Sequence, residues 1–315
     1  MTGRRDTEHR IGIKAPADAV FELIADVGNW PRLFPPTIHV DEVQRSGQEQ
    51  RIRIWATANG QVKNWTSRRV LDPAARTISF RQEVSAPPVA SMGGTWVVEP
   101  ISATESRVRL LHDYRAIDDD PESLAWVEQA VDRNSHAELT ALKENVELAS
   151  GSVDDLAFSF TDSITVDGAV KDVYDFINDA HLWRERLPHV ARVVFTEDGP
   201  GLQTLEMDTR TKDGSTHTTK SVRVCFPPNR IVYKQITLPA LMNLHTGYWE
   251  LTEEPEAGTV TATSQHTVVI NPERIGQVLG PEAGVAQARD FVRAALSANS
   301  LATLGYAKSY AEARR

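Results

Sequence analysis

Strict alternation of apolar and polar side chains marks several stretches of this chain as β-strands with one buried face. In RVRLLHDYR, residues 107–115, Val108, Leu110, His112 and Tyr114 fall on one face and Arg107, Arg109, Asp113 and Arg115 on the other. The alternation is sharper at 259–270, where Val260, Ala262, Ser264, His266, Val268 and Ile270 oppose Thr259, Thr261, Thr263, Gln265 and Thr267. Each strand therefore predicts a histidine that faces inward. Helical period takes over near the end of each half. There Val292, Ala295, Ala302 and Tyr306 form a stripe with Asn299 in its middle, and Asn134 lies likewise among Ala130, Val131, Ala137 and Ala141.

The same order of elements is predicted twice. A strand at HRIGIKA leads into a helix opened by Pro16 with Asp18 in its first turn, then a short segment carrying Trp30 and several prolines. About six strands follow, separated by the turn signals RSGQ, LDPAAR, SAPP and EPISATES, and a helix from Pro121 to about Ala149 closes the series. The second series has a strand at FSFTDSITV, a helix from Ala169, and strands punctuated by EDGPG, KDGS, FPPNR and EEPEAG. Its closing helix runs from about Glu282 to Ala313.

This recurrence extends to the residues themselves. FELIADVGNWPRLFPP at 21–36 returns as YDFINDAHLWRERLPH at 174–189, matching Ile24 with Ile177, Asp26 with Asp179, Trp30 with Trp183 and Pro35 with Pro188 at an offset of 153. Gly94 and Trp96 match Gly247 and Trp249 at the same offset, and His112 matches His266 one residue further along. NSHAELTALKE at 134–144 resembles NSLATLGYAKS at 299–309. Two homologous domains are expected, 1–150 and 151–315, joined around the small, polar stretch ASGSVDD at 149–155.

Composition excludes several function classes. A chain of 315 residues suits two domains of roughly 150 residues, and 41% hydrophobic with 24% charged residues is ordinary for a globular protein. The net charge of -9, with no basic tail or stripe, disfavours nucleic acid and anionic membranes. No leader-like apolar run follows the N-terminal arginines and no stretch of about 18 apolar residues occurs, so a cytoplasmic location is expected. The single cysteine, Cys225, leaves no internal disulfide or cysteine-based metal cluster, and it reads as a small strand hydrophobe. Phosphate loops, zinc-protease helices and Gly-x-Ser-x-Gly elbows are absent from the sequence. The acidic run DDDPE at 118–122 reads as a solvated cap on the following helix.

The awkward stretch is NWTSRRV at 64–70. As a strand it sets Trp65, Ser67 and Arg69 on one face and Thr66, Arg68 and Val70 on the other, and neither face is cleanly apolar. THTTKSVRVC repeats the pattern, with Thr219, Ser221, Arg223 and Cys225 together. In order, paired tryptophans and duplication, FELIADVGNWPRLFPP followed by NWTSRRVLDP resembles the helix-grip (START/Bet v 1-like) polyketide aromatase/cyclases, in particular the di-domain aromatase/cyclases of type II polyketide synthases. The resemblance spans nearly the whole chain. It implies an α+β fold of two tandem helix-grip domains, each an antiparallel sheet of about seven strands wrapped around a long C-terminal helix with an internal cavity.

What the resemblance implies in function is an enzyme that folds a poly-β-ketone carried on an acyl carrier protein and directs first-ring aldol cyclisation and dehydration to an aromatic ring. Other polyketide synthase subunits are further expected partners, and no cofactor and no metal are expected. A substrate that is oily yet studded with carbonyls needs apolar walls with a few placed donors. The catalytic candidates are Arg69, His112 and Ser67 in the first half and Arg223, His266 and Ser221 in the second. Arg69 and Arg223 would hold a developing oxyanion, and the histidines would move protons directly or through the serines. The walls and substrate contacts are assigned to Trp30, Phe34, Trp65, Trp96 and Asn134, and to Trp183, Thr219, Trp249 and Asn299.

For each group a plainer role stands beside this one. Arg69 is otherwise a surface arginine, with Trp65 packed between domains; the histidines are otherwise core residues bonded to backbone, and the asparagines structural amides tied to the sheet. One departure from the family is visible: WPRLFPP offers Phe34 and Pro35 where some relatives have a tyrosine, so a tyrosine acid is missing there. Arg32, Arg184 and Arg186 are placed to meet an acidic carrier protein. Trp65 makes the first cavity the more aromatic, while His217 and Tyr248 make the second more polar, which suits cyclisation in the first and aromatisation in the second. The alternative function is a non-catalytic START-like binding protein or chaperone for a hydrophobic polyketide or lipid.

Overall fold

The structure, a computed structural model, describes residues 3–149, 156–210 and 216–315, so the join at 150–155 and the KDGS turn lie outside the described residues. The chain divides into two compact units, Met1–Val153 and Asp154–Arg315. The first contains β1 (Arg5–Ile13), α1 (Ala17–Ala25), α2 (Trp30–Leu33), β2 (Thr37–Ser46), β3 (Glu49–Ala58), β4 (Gln61–Asp72), β5 (Thr77–Val84), β6 (Val89–Pro100), β7 (Ser106–Ala116) and α3 (Pro121–Ala149). Its strands form one antiparallel sheet in the order β1-β7-β6-β5-β4-β3-β2. Pairing the unit's first strand with its last sets β1 beside β7 and curls the sheet about α3, which packs on both.

The second unit repeats this with β8 (Ala157–Val166), α4 (Val170–Asn178), α5 (Trp183–Arg186), β9 (Val190–Glu197), β10 (Leu202–Arg210), β11 (Thr216–Phe226), β12 (Arg230–Thr237), β13 (Met242–Glu254) and β14 (Thr259–Ile270). Its sheet order is β8-β14-β13-β12-β11-β10-β9. The new element is α6 (Ile275–Leu279), a short helix ahead of the long α7 (Val285–Glu312), which starts three residues later than its sequence pattern predicts. Both sheets are antiparallel with a long closing helix, as the helix-grip resemblance implies.

In each unit the largest core cluster packs on the C-terminal half of the long helix, and a smaller cluster packs on its N-terminal half, around Val127 and Val131 in the first unit and Ala288 and Val292 in the second. Ile13, Ile24, Val98, Val108 and Leu142 anchor the larger cluster of the first unit, and Val166, Ile177, Ala262, Leu304 and Ala307 that of the second. Burying each large aliphatic chain contributes roughly 1.5–3 kcal/mol. The stripe read on α7 is displaced: Tyr306 is 43% exposed and Ala295 is exposed, while Ser300, Thr303, Leu304 and Ala307 are buried. So many Ala and Ser positions weaken the contrast between faces that fixes a helix's phase.

Gly94 of β6 and Gly247 of β13 stand across from His112 and His266. A Cβ on Gly94 would sit 1.9 Å from the Leu111 carbonyl oxygen and 2.6 Å from the Phe80 ring; one on Gly247 would sit 2.0 Å from the Gln265 carbonyl oxygen and 2.7 Å from the Tyr233 hydroxyl. The missing side chain is what lets the ring at position 80 or 233 lie over this strand, against the histidine beyond.

Candidate active site

Each site begins where a short helix ends. The Arg69 guanidinium reaches from β4 to the last turn of α1, where Nη2 donates to the carbonyls of Ile24 (3.2 Å) and Ala25 (3.3 Å). It lies over the Trp30 ring at 4.9 Å, and Trp30 Nε1 donates to the same Ile24 carbonyl at 3.0 Å. A helix C-terminus and an aromatic face both favour a cation. The second unit builds the same device: Arg223 Nη2 donates to Ile177 O at 2.6 Å, its guanidinium lies 5.3 Å over Trp183, and Trp183 Nε1 donates to Phe176 O. Burial pulls both guanidinia below their ordinary range, Arg69 to about 9. Arg69 is 1% exposed, yet its Nε and Nη1 have no hydrogen-bond partner, which leaves two donors for an oxygen brought from outside.

The first unit encloses two adjoining chambers of about 130 and 90 Å³. Arg69, Ser67, Phe34 and Trp96 line the inner one; Asn134, Trp126 and Lys63 line the outer; Trp30, Trp65, His112 and Glu138 border both. His112 Nδ1 is buried without a partner, its ring edge-to-face with Phe80 at 5.5 Å. Burial, with His9 nearby, lowers the imidazole to about 4, so it is unprotonated at neutral pH and has a lone pair to accept a proton. Glu138 goes the other way: burial raises its carboxyl to about 8, leaving a protonated acid beside the neutral base.

In the second unit one cavity of about 320 Å³ is lined by Trp183, Trp249, Arg223, Ser221, Thr219, Asn299 and four histidines, 189, 217, 245 and 266. Tyr233 Oη is 2.9 Å from His266 Nδ1 and 3.4 Å from His245 Nε2; the two imidazole nitrogens are 3.0 Å apart, and His266 Nε2 is 3.1 Å from Ser264 Oγ. Desolvation holds His245 near 3 and His266 near 4 and pushes the Tyr233 hydroxyl up.

All fifteen candidates border the cavities, and three neighbouring assignments change. Asn134 Nδ2 donates to Thr57 O at 2.9 Å, tying α3 to β3, so the group that α3 offers the cavity is Glu138 one turn on. Tyr248 is not among the residues lining the second cavity and carries Arg230 on its ring at 5.1 Å, because its neighbour Trp249 takes the inward position. Arg186 is held between the rings of Phe176 and Tyr310 at 5.2 and 5.0 Å and is unavailable to a carrier.

The residues missed by sequence reading are Glu138, Tyr233, His245 and Ser264. Matching the halves carries a signal for each: Tyr233 falls on Phe80, His245 on Met92, Ser264 on Leu110, and Glu138 on Thr303. Away from the cavities, His9, Asp132 and His136 bring three possible ligand atoms within 4.8 Å of one another, with His9 Nε2 and Asp132 Oδ1 already paired at 3.0 Å.

The model of the family described as polyketide cyclase / dehydrase and lipid transport matches this chain twice, over residues 4–147 and 157–305. The chain belongs to that family. Similar proteins include the granaticin polyketide synthase bifunctional cyclase/dehydratase of Streptomyces virginiae, 52% identical over 95% of this chain and 97% of its own length. The actinorhodin counterpart of Streptomyces coelicolor is 42% identical, with 98% of each chain covered. The crystal structure of the di-domain aromatase/cyclase BexL from the BE-7585A biosynthetic pathway shares 64% identity, covers 99% of this chain and 100% of its own, and superposes with a TM-score of 0.88. The protein is thus a di-domain polyketide aromatase/cyclase, an enzyme of cyclisation and dehydration. Among the described residues no helix is long and apolar enough to cross a membrane.

Proposed function

We propose that the protein accepts a poly-β-ketone on an acyl carrier protein and closes its first ring in the N-terminal cavity. The observation that carries this reading is the meeting of three unspent groups on adjoining walls: Arg69 with two free donors, His112 with a free Nδ1, and Glu138 as a neutral acid. His112 takes a proton from the methylene between two ketones, and the resulting enolate oxygen is held by Arg69. The enolate carbon attacks a second carbonyl of the bent chain. Glu138 protonates the new alkoxide, and the His112 imidazolium returns its proton to the Glu138 carboxylate, so the site ends as it began. Trp30, Trp65 and Trp96 wall the chain, and the slim chambers hold one reacting segment in a bent conformer.

A passive carrier of oily ligands has no use for unpaired buried donors, whose desolvation costs roughly 1–3 kcal/mol each. The carrier protein is acidic as a class, so docking falls to local cations such as the exposed Arg32 and Arg184. The test is ring closure in a reconstituted ketosynthase and carrier system. His112→Ala and Glu138→Gln should each lower correct first-ring product by about 10²-fold, the usual scale of a lost general acid or base; wild-type yields from both would remove the pair from the mechanism.

A further inference from the structure

The second cavity contains a proton-handling cluster for which the first has only apolar counterparts. Tyr233, His245 and His266 line the cavity wall and Ser264 stands behind them, where the first unit has Phe80, Met92 and Leu110 about His112. The fold does not demand these polar groups, since the first unit packs the same strands with apolar ones. Nor does packing explain them, because burying a phenol and two imidazoles is favourable only when their hydrogen bonds are made. Most of their bonds are made to each other: Tyr233 Oη, His266 Nδ1 and His245 Nε2 form a triangle with sides of 2.9, 3.0 and 3.4 Å, Tyr233 Oη also lies 3.4 Å from Gln265 O, and His245 Nδ1 is buried without a partner. The two imidazole rings stack at 5.3 Å, and Thr246 Oγ1 fixes the strand beneath by donating to Tyr233 O at 2.7 Å. The cluster is therefore rigid, neutral and open to whatever fills the cavity.

We propose that Tyr233 donates the proton to the hydroxyl lost from a β-hydroxy ketone, so that dehydration of the ring formed in the first cavity takes place in the second. This rests on the reading of the protein as a ring-closing enzyme. His245 takes the proton α to the ketone at Nδ1, its unpartnered nitrogen, and the C–H electrons become the new C=C bond. The C–O bond breaks with its electrons on oxygen, which takes the Tyr233 proton and departs as water. The imidazolium then returns its proton to the Tyr233 oxygen, so atoms and charge balance with no other reagent. His266 is the positioning residue, holding the phenol and His245 in register with both its ring nitrogens bonded. The 320 Å³ cavity, larger than either chamber of the first unit, suits a closed ring.

The experiment uses the full chain and a free, preformed cyclic β-hydroxy ketone, following water loss by the absorbance of the conjugated product. Tyr233→Phe installs the first unit's own residue and should slow dehydration at least about tenfold while the protein still melts cooperatively as a folded chain. Tyr248→Phe, on the same sheet but outside the cavity, should dehydrate this substrate at the wild-type rate. His245→Met, again the first unit's residue, should lower kcat with KM unchanged and shift the pH profile of the step. A wild-type rate for Tyr233→Phe, or an equal loss in Tyr248→Phe, overturns the proposal. If Arg69→Ala fails to close rings from the carrier-bound chain while Tyr233→Phe dehydrates normally, the cyclase reading stands and only this inference falls.

Discussion

The two units place a histidine at the same point of the same fold and treat it differently. His112 sits against Phe80 with its Nδ1 unpartnered, whereas both ring nitrogens of His266 are occupied, Nδ1 by Tyr233 and His245 and Nε2 by Ser264. What both units keep is the frame: an arginine on a helix end stacked on tryptophan, and a glycine across from the histidine. What differs is the ring of neighbours about the imidazole. An unsatisfied nitrogen in a dry wall is available to substrate, and a satisfied one is part of a relay. Reuse of one scaffold for two proton-transfer steps thus needs changes at only a few inward positions.

The largest expected effect tests the shared frame. Gly94→Ala and Gly247→Ala each drive a Cβ into a cross-strand carbonyl, and each should destabilise its own unit by about 3 kcal/mol through overpacking against backbone. Unit-resolved hydrogen exchange reads this directly. Tolerance of alanine in one unit would show that its histidine wall is built another way.

A smaller, opposite pair of pH effects separates the units. Glu138 holds its proton to about 8 when folded but releases it near 4.5 when unfolded, so the first unit loses stability as pH rises across that window. Glu138→Gln should flatten that slope, and Thr303→Val, at the matching position of the second unit, should not alter it. On the acid side, His245 and His266 stay neutral down to about 3 and 4 while their unfolded counterparts protonate near 6.5. The second unit therefore loses stability as pH falls from 6.5, with two such groups against His112 alone at the matching site of the first. Melting followed separately in each unit at pH 5 and pH 8.5 checks both directions. Equal slopes in the two units would break the contrast.

Sequence reading reached the frame because period-two alternation and duplication each report it independently. Arg69 and Arg223 stand on one strand face with Ser67 and Ser221, and the strands of His112 and His266 are otherwise plainly one-sided. The neighbours were harder. Glu138 lies on a helix rich in charge, where a carboxylate reads as solvent-facing, and only the tertiary fold turns it into the cavity. Tyr233 in RIVYKQIT looks like an ordinary core aromatic; its hydroxyl acquires meaning through two histidines from β13 and β14. Tyr248 failed by parity, since one residue along a strand reverses the face.

In the proposed division of labour the first unit closes the ring and the second removes water. Arg69→Ala and Arg223→Ala, made separately in the full chain and supplied with ketosynthase and carrier-bound poly-β-ketone, test it through the identity of the products. Arg69→Ala should yield chains lacking the correct first ring, and Arg223→Ala a ring closed at the right carbons but still carrying its hydroxyl. The same products from both variants, or a wild-type product from Arg223→Ala, would contradict it.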